Sequence, residues 1–156
     1  PEPGSYIIKF VKVIEIQERQ RTDFKTKELL WDDDGNPIME KTAYCQLQID
    51  DPTAGDDDGY EFREYVNSYI NIGNKGPTKS LEFASAFAGL TPQEYYAMAP
   101  MDRPGFSTFP GKRAQANLIH HTSTKGNTYL KIDSVVKMRN KKPARQLIED
   151  DEEPGF

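Results

Sequence analysis

The sequence predicts an all-β domain with one main helix. Two patterns support this: five segments alternate apolar and polar residues as strands do, and one segment between the third and fourth has helical spacing. The first strand is SYIIKFVKVIEIQ (Ser5–Gln17), rich in β-branched residues. Its alternation changes phase near Val11-Lys12-Val13, which predicts a bulge or bend. The second, AYCQLQID (Ala43–Asp50), places Cys45, Leu47 and Ile49 on one face. The third, EFREYVNSYI (Glu61–Ile70), does the same with Phe62, Val66 and Ile70. The helix is KSLEFASAFAGL, with Thr78 or Ser80 as cap, Leu81, Phe83, Ala84, Phe87 and Ala88 on its apolar face, and Gly89 as stop. A shorter helical restart follows at Thr91-Pro92, with Glu94 completing a capping-box pattern. Pro100 to Gly111 holds too much proline and glycine to be regular. The fourth strand (Gly111–Ser123) turns Ala114, Ala116 and Leu118 inward, and the fifth (Asn127–Met138) turns Leu130, Ile132 and either Val135 or Val136 inward. Lys125 to Asn127 joins these two as a tight hairpin. The order β-β-β-α-β-β is that of a five-stranded OB-fold barrel, here with a long connection between strands one and two.

Composition and charge narrow the function. There is no internal repeat. Apolar residues are only 36% of the 156, yet seventeen aromatic residues are too many for a wholly disordered chain. The division expected is a nucleic-acid-binding domain over residues 1–140, then a basic linker and an acidic tail over 141–156. The net charge of -5 equals the five acids Glu149, Asp150, Asp151, Glu152 and Glu153, so residues 1–148 are formally neutral. Within that body, residues 79–145 hold eleven Lys/Arg against four Asp/Glu. The acids gather instead at Asp32–Asp34, at Asp50-Asp51 and at Asp56–Asp58. Cys45 is the only cysteine, which excludes an internal disulfide and suits a reducing cytoplasm. No apolar run is long enough to span a bilayer, and no cofactor motif or metal-ligand spacing is present.

The same alternation assigns the outward faces. Tyr44, Gln46 and Gln48 face out from the second strand, and Arg63, Tyr65, Asn67 and Tyr69 from the third. Arg113, Gln115, Asn117 and His121 face out from the fourth, and Tyr129 and Lys131 from the fifth. Strands two and three of an OB-fold carry its usual nucleic-acid face, clamped by the 1–2 and 4–5 loops. The 4–5 loop here holds Lys125. The 1–2 loop holds Arg19, Arg21, Lys25 and Lys27 with Phe24 and Trp31. Rings interleaved with cations suit single-stranded nucleic acid: bases stack on rings, and cations follow phosphates. The expected contacts are therefore Tyr44, Tyr65, Tyr69 and Trp31 for stacking, with Asn67, His121 and Tyr129 beside them. Arg63, Arg113, Lys125 and Lys131 are expected at phosphates. Any one of these tyrosines, taken alone, is explained as a good strand former covering half-buried surface.

GKRAQANLIHHTSTKGNTYLKIDSV (Gly111–Val135) resembles the closing hairpin of small phage-encoded OB-fold proteins that bind single-stranded DNA. GSYIIKFVKVIEI resembles their first strand, and AFAGL sits where their helix ends. The resemblance is diffuse and covers most of residues 4–138. EDDEEPGF (Glu149–Phe156) separately resembles the acidic C-terminal tip of bacterial single-strand binding proteins, which ends Pro-x-Phe. The linker before it is shorter than in those proteins. These likenesses imply a non-catalytic protein of phage replication or recombination in the host cytoplasm, with single-stranded DNA as ligand. They also imply that Glu149–Glu153 and Phe156 dock replication or recombination proteins and compete for the DNA groove. Such a chain is compatible with a homodimer.

Two rival classes stand beside this reading. A two-metal nuclease needs clustered carboxylates, but Asp32–Asp34 and Asp56–Asp58 lie in glycine-containing loops without a supporting histidine. His120 and His121 are adjacent on a strand and point to opposite faces, with His120 expected in the core. The other rival is an adapter that binds protein alone, since fold does not fix function.

Overall fold

The computed structural model describes residues 1–23 and 25–139. In chain order its elements are β1 (Gly4–Gln20), β2 (Met39–Ile49), β3 (Glu61–Asn67), β4 (Ile72–Gly73), β5 (Gly76–Pro77), α1 (Lys79–Ala88), α2 (Pro92–Ala97), β6 (Arg113–Thr122) and β7 (Thr128–Lys137). β3, β2, β1, β6 and β7 form one antiparallel sheet in that order, and β4 and β5 make a separate two-stranded hairpin.

β1 organises the sheet. Its first part pairs with β6, from Gly4 opposite Leu118 to Lys9 opposite Arg113, while its other edge follows β2 from Ile8 to Gln20. The ladder with β2 slips between Phe10 and Lys12 and again between Val13 and Glu15. This is the phase change visible in the sequence, and such bulges bend a strand. β1 and β2 both run further than the sequence suggests, so the long first connection becomes a projecting ribbon closed by residues 21–38.

The inward rows are those expected. Cys45, Leu47, Ile49, Phe62, Val66, Ala114, Ala116, Leu118, Leu130 and Ile132 are buried, and of the two valines it is Val135 that points in. α1 closes one side of the core with Leu81, Phe83, Ala84 and Phe87. Thr78 caps it by accepting the Leu81 N–H, and Gly89 ends it at φ 77°, where a side chain would be strained. α2 begins with the reciprocal Thr91–Glu94 capping box. The proline-rich connection after it is less irregular than its composition suggests. It contains two short 3-10 turns, and it delivers Phe106 and Phe109 to the core. Phe10 meets Phe83, Phe87, Phe106 and Phe109 edge-on at 5.5–6.2 Å, the arrangement the ring quadrupoles favour.

The barrel expected from the element order is not closed by a backbone ladder among the described residues. The outer strands β3 and β7 run parallel, because each neighbouring pair between them is antiparallel. Glu64 lies in the inward row of β3, opposite Cys45. Its carboxylate accepts the Ile132 N–H of β7 at 2.9 Å and so bridges the seam.

Two loops also differ from expectation. β3 stops at Asn67 rather than Ile70, because the Asn67 side chain accepts the Tyr69 N–H and the Ser80 hydroxyl and turns the chain. Ile70 still packs on the core. The acidic stretch after β2 is an ordered 3-10 segment, Pro52–Asp57. Asp51 anchors it by accepting hydrogen bonds from Ile7 N–H, Thr53 N–H and the Thr53 hydroxyl. Burial acts to raise the Asp51 pKa, but these bonds outweigh it and hold the carboxyl below its ordinary value.

Candidate nucleic-acid interface

Tyr44 of β2 and Tyr65 of β3 are directly opposite in the ladder. Their rings stack at 4.4 Å and 24° on the outer face of the sheet. The Arg63 guanidinium lies 6.0 Å from the Tyr44 ring. Across the seam β7 contributes Tyr129 and Lys131, and the His121 ring sits 5.3 Å from Tyr129. An open groove of about 620 Å³ lies between these two sides. Tyr65 is 64% exposed beside it, so one of its faces is stacked on Tyr44 while much of the ring remains available.

The groove thus unites five of the expected residues: Tyr44, Arg63, Tyr65, Tyr129 and Lys131. His121 stands next to it. Lys125 is exposed in the hairpin loop that precedes β7. Tyr60 and Gln46 line the groove too. Tyr60 precedes its strand, so alternation could not place it.

The remaining candidates lie elsewhere. Tyr69 is past the end of β3, under the Arg21 guanidinium at 4.1 Å. Asn67 is exposed and lines an adjoining hollow with Tyr65 and Lys131, but its side-chain oxygen is engaged by the Tyr69 N–H and the Ser80 hydroxyl. Arg113 is two strands away from β2 in the sheet and is ion-paired with Asp50 at 2.5 Å. Trp31 belongs to the ribbon tip, bridged to Pro37 and 56% exposed. His120 is not a core residue: it is exposed beyond the buried Leu118, with its Nε2 2.7 Å from the Pro1 carbonyl. Phe24, the linker over residues 141–148 and the tip residues Glu149, Asp150, Asp151, Glu152, Glu153 and Phe156 lie outside the described residues.

The groove has mixed charge. Arg63 and Lys131 face Glu61 and Glu64. Burial pushes the Glu64 carboxyl above its ordinary value, while the Ile132 N–H and then Lys131 and Lys79 oppose that shift. Its oxygen is turned to the seam, so Glu61 is the exposed acid of the pair. Glu64 is the groove-lining residue that alternation alone overlooks. The available signal was a carboxylate in an otherwise apolar inward row, Phe62-Glu64-Val66.

The aspartate runs raised by the nuclease reading are occupied by turn chemistry. Asp32 accepts the N–H groups of Asp34 and Asn36. Asp57 accepts the Tyr6 hydroxyl and the Glu2 N–H, and Asp58 accepts the Asp51 N–H. No helix among the described residues is long and apolar enough to cross a membrane. Comparison of the chain with protein-family models and with curated proteins returns no match.

Proposed function

We propose that this chain is a non-catalytic single-stranded DNA-binding protein of replication or recombination, and that the groove between β3 and β7 is where the strand lies. The observation that carries the reading is the stacked Tyr44–Tyr65 pair with Arg63 and Lys131 beside it. Exposed rings backed by cations bind bases without selecting among them. The strand order with α1 between β3 and β6 supports an OB-fold, in which Glu64 stands in for part of the ladder at the closing seam. Tyr44 and Tyr65 then occupy the strand-two and strand-three face, and Lys125 sits in the loop that clamps it. The acidic end from Glu149 to Phe156 recruits partner proteins and competes for the groove.

The test is fluorescence anisotropy of labelled dT oligonucleotide against a salt series. Arg63, Lys125 and Lys131 offer about three phosphate contacts, so the slope of log K on log salt should be about -2. Salt-sensitive binding with that slope supports the groove. No binding at low salt removes the reading and favours a protein adapter.

A further inference from the structure

The second half of β1 has an open edge. β6 pairs only with Gly4–Lys9, and from Val11 to Gln20 no backbone ladder covers that side of β1 among the described residues. The opposite side is fully engaged with β2, from Glu15 opposite Tyr44 to Gln20 opposite Met39. An exposed strand edge of this length is a template for another strand. The segment has no proline and its register slips all lie before Glu15, so from Glu15 onward only charged side chains guard the edge, and Ile14 and Ile16 are exposed beside them, the latter at 58%.

We infer that the Glu15–Arg19 edge of β1 pairs antiparallel with the same edge of a second copy, joining two sheets into one. The argument for a second copy, rather than another occupant, is the sequence of the edge itself. In an antiparallel register centred on Gln17, Glu15 stands opposite Arg19 of the second copy, and Arg19 opposite its Glu15. Gln17 meets its own counterpart on the two-fold axis. Directly opposite residues share a face, so all these contacts fall on the outward row of Glu15, Gln17 and Arg19. Self-complementarity of this kind is what an isologous interface requires. On the other face Ile16 lies diagonal to its symmetry mate, which covers apolar surface now in water. A polyanionic segment such as Glu149–Glu153 fits less well, because this edge carries Glu15 and Glu18 as well as Lys12 and Arg19. A two-fold axis normal to the joined sheet also leaves both Tyr44–Tyr65 faces on the same side. On the groove reading above, one strand could then cross both copies.

The experiment is sedimentation velocity of the full chain over a concentration series without nucleic acid, so its outcome is independent of DNA binding. A reversible monomer–dimer equilibrium is expected. Glu15→Arg should weaken it about tenfold, since like charges then face each other twice. Glu15 lies opposite Tyr44 in its own chain and accepts the Gln17 Nε2–H at 2.6 Å, so the change removes that exposed hydrogen bond but no intrachain ion pair among the described residues. The double variant E15R/R19E should restore association. As a direct readout, Gln17→Cys should form an intermolecular disulfide under mild oxidation, because directly opposite residues lie within bridging distance. The native Cys45 is buried and should not react. Unchanged circular dichroism melting confirms that the variants fold. A chain that stays monomeric at every soluble concentration overturns the inference. So does a dimer that Glu15→Arg leaves unchanged, or one that is lost only when residues 149–156 are removed.

Discussion

The rings of Tyr44 and Tyr65 occupy one face of each other, and Arg63 approaches Tyr44 from beside it. A base can therefore extend the stack most readily on Tyr65. Tyr65→Ala should cost about 1–3 kcal/mol of affinity for dT oligonucleotide and leave the salt slope unchanged, because it removes stacking and no cation. Asn67→Ala gives the contrasting result. It removes the acceptor for Ser80 and Tyr69 at the end of β3, so stability should fall by about 1 kcal/mol while affinity holds. Thermal melting and anisotropy on the same two variants separate the roles. Equal affinity losses would put Asn67 back in the interface. Cys45 needs no functional role: burial pushes its thiol up to about 12, which keeps it protonated and inert.

At the scale of elements, alternation located every strand of the main sheet, and capping chemistry located both helices. What alternation could not supply was anything set by the third dimension. Phe106 and Phe109 sit in a proline- and glycine-rich segment with no period, yet Phe109 is fully buried because 3-10 turns bring it under Phe10. The β4–β5 hairpin is two residues per strand, too short to leave a pattern. His120 continues the inward row of Leu118 yet is exposed, with its ring on the Pro1 carbonyl, although Leu130 opposite it is buried, so parity alone does not imply burial there. The seam is the clearest case, since whether β3 meets β7 depends on sheet curvature. Glu64 is a sensitive probe there. Its folded pKa is raised, so the folded state favours the neutral acid more than the unfolded chain does. Its contribution is fully present below the unfolded value and is lost as pH rises through the folded value. Glu64→Gln keeps an acceptor for the Ile132 N–H without the charge. It should match the native protein in acid and become the more stable of the two as pH rises through that window, as read by denaturant melts. Glu64→Ala leaves the Ile132 N–H without its acceptor and should cost about 1–3 kcal/mol at any pH.

For the whole molecule, charge is segregated by sequence position rather than averaged. The body is neutral, and five acids follow it within residues 149–153. On the proposed reading those acids and Phe156 compete with DNA for Arg63, Lys131 and the exposed Tyr65. Competition by a tethered polyanion lowers apparent affinity by the fraction of time the groove is covered. Removing residues 148–156 should therefore tighten binding to dT oligonucleotide, by several-fold at low salt. The gain has to shrink as salt rises, because screening weakens the tethered carboxylates over a Debye length of about 10 Å at 0.1 M. Anisotropy titrations of both chains at three salt concentrations decide this. A constant gain at all salts would assign the competition to Phe156 and apolar contact rather than to charge. No gain at any salt would leave the acidic end to partner proteins alone and the groove permanently open.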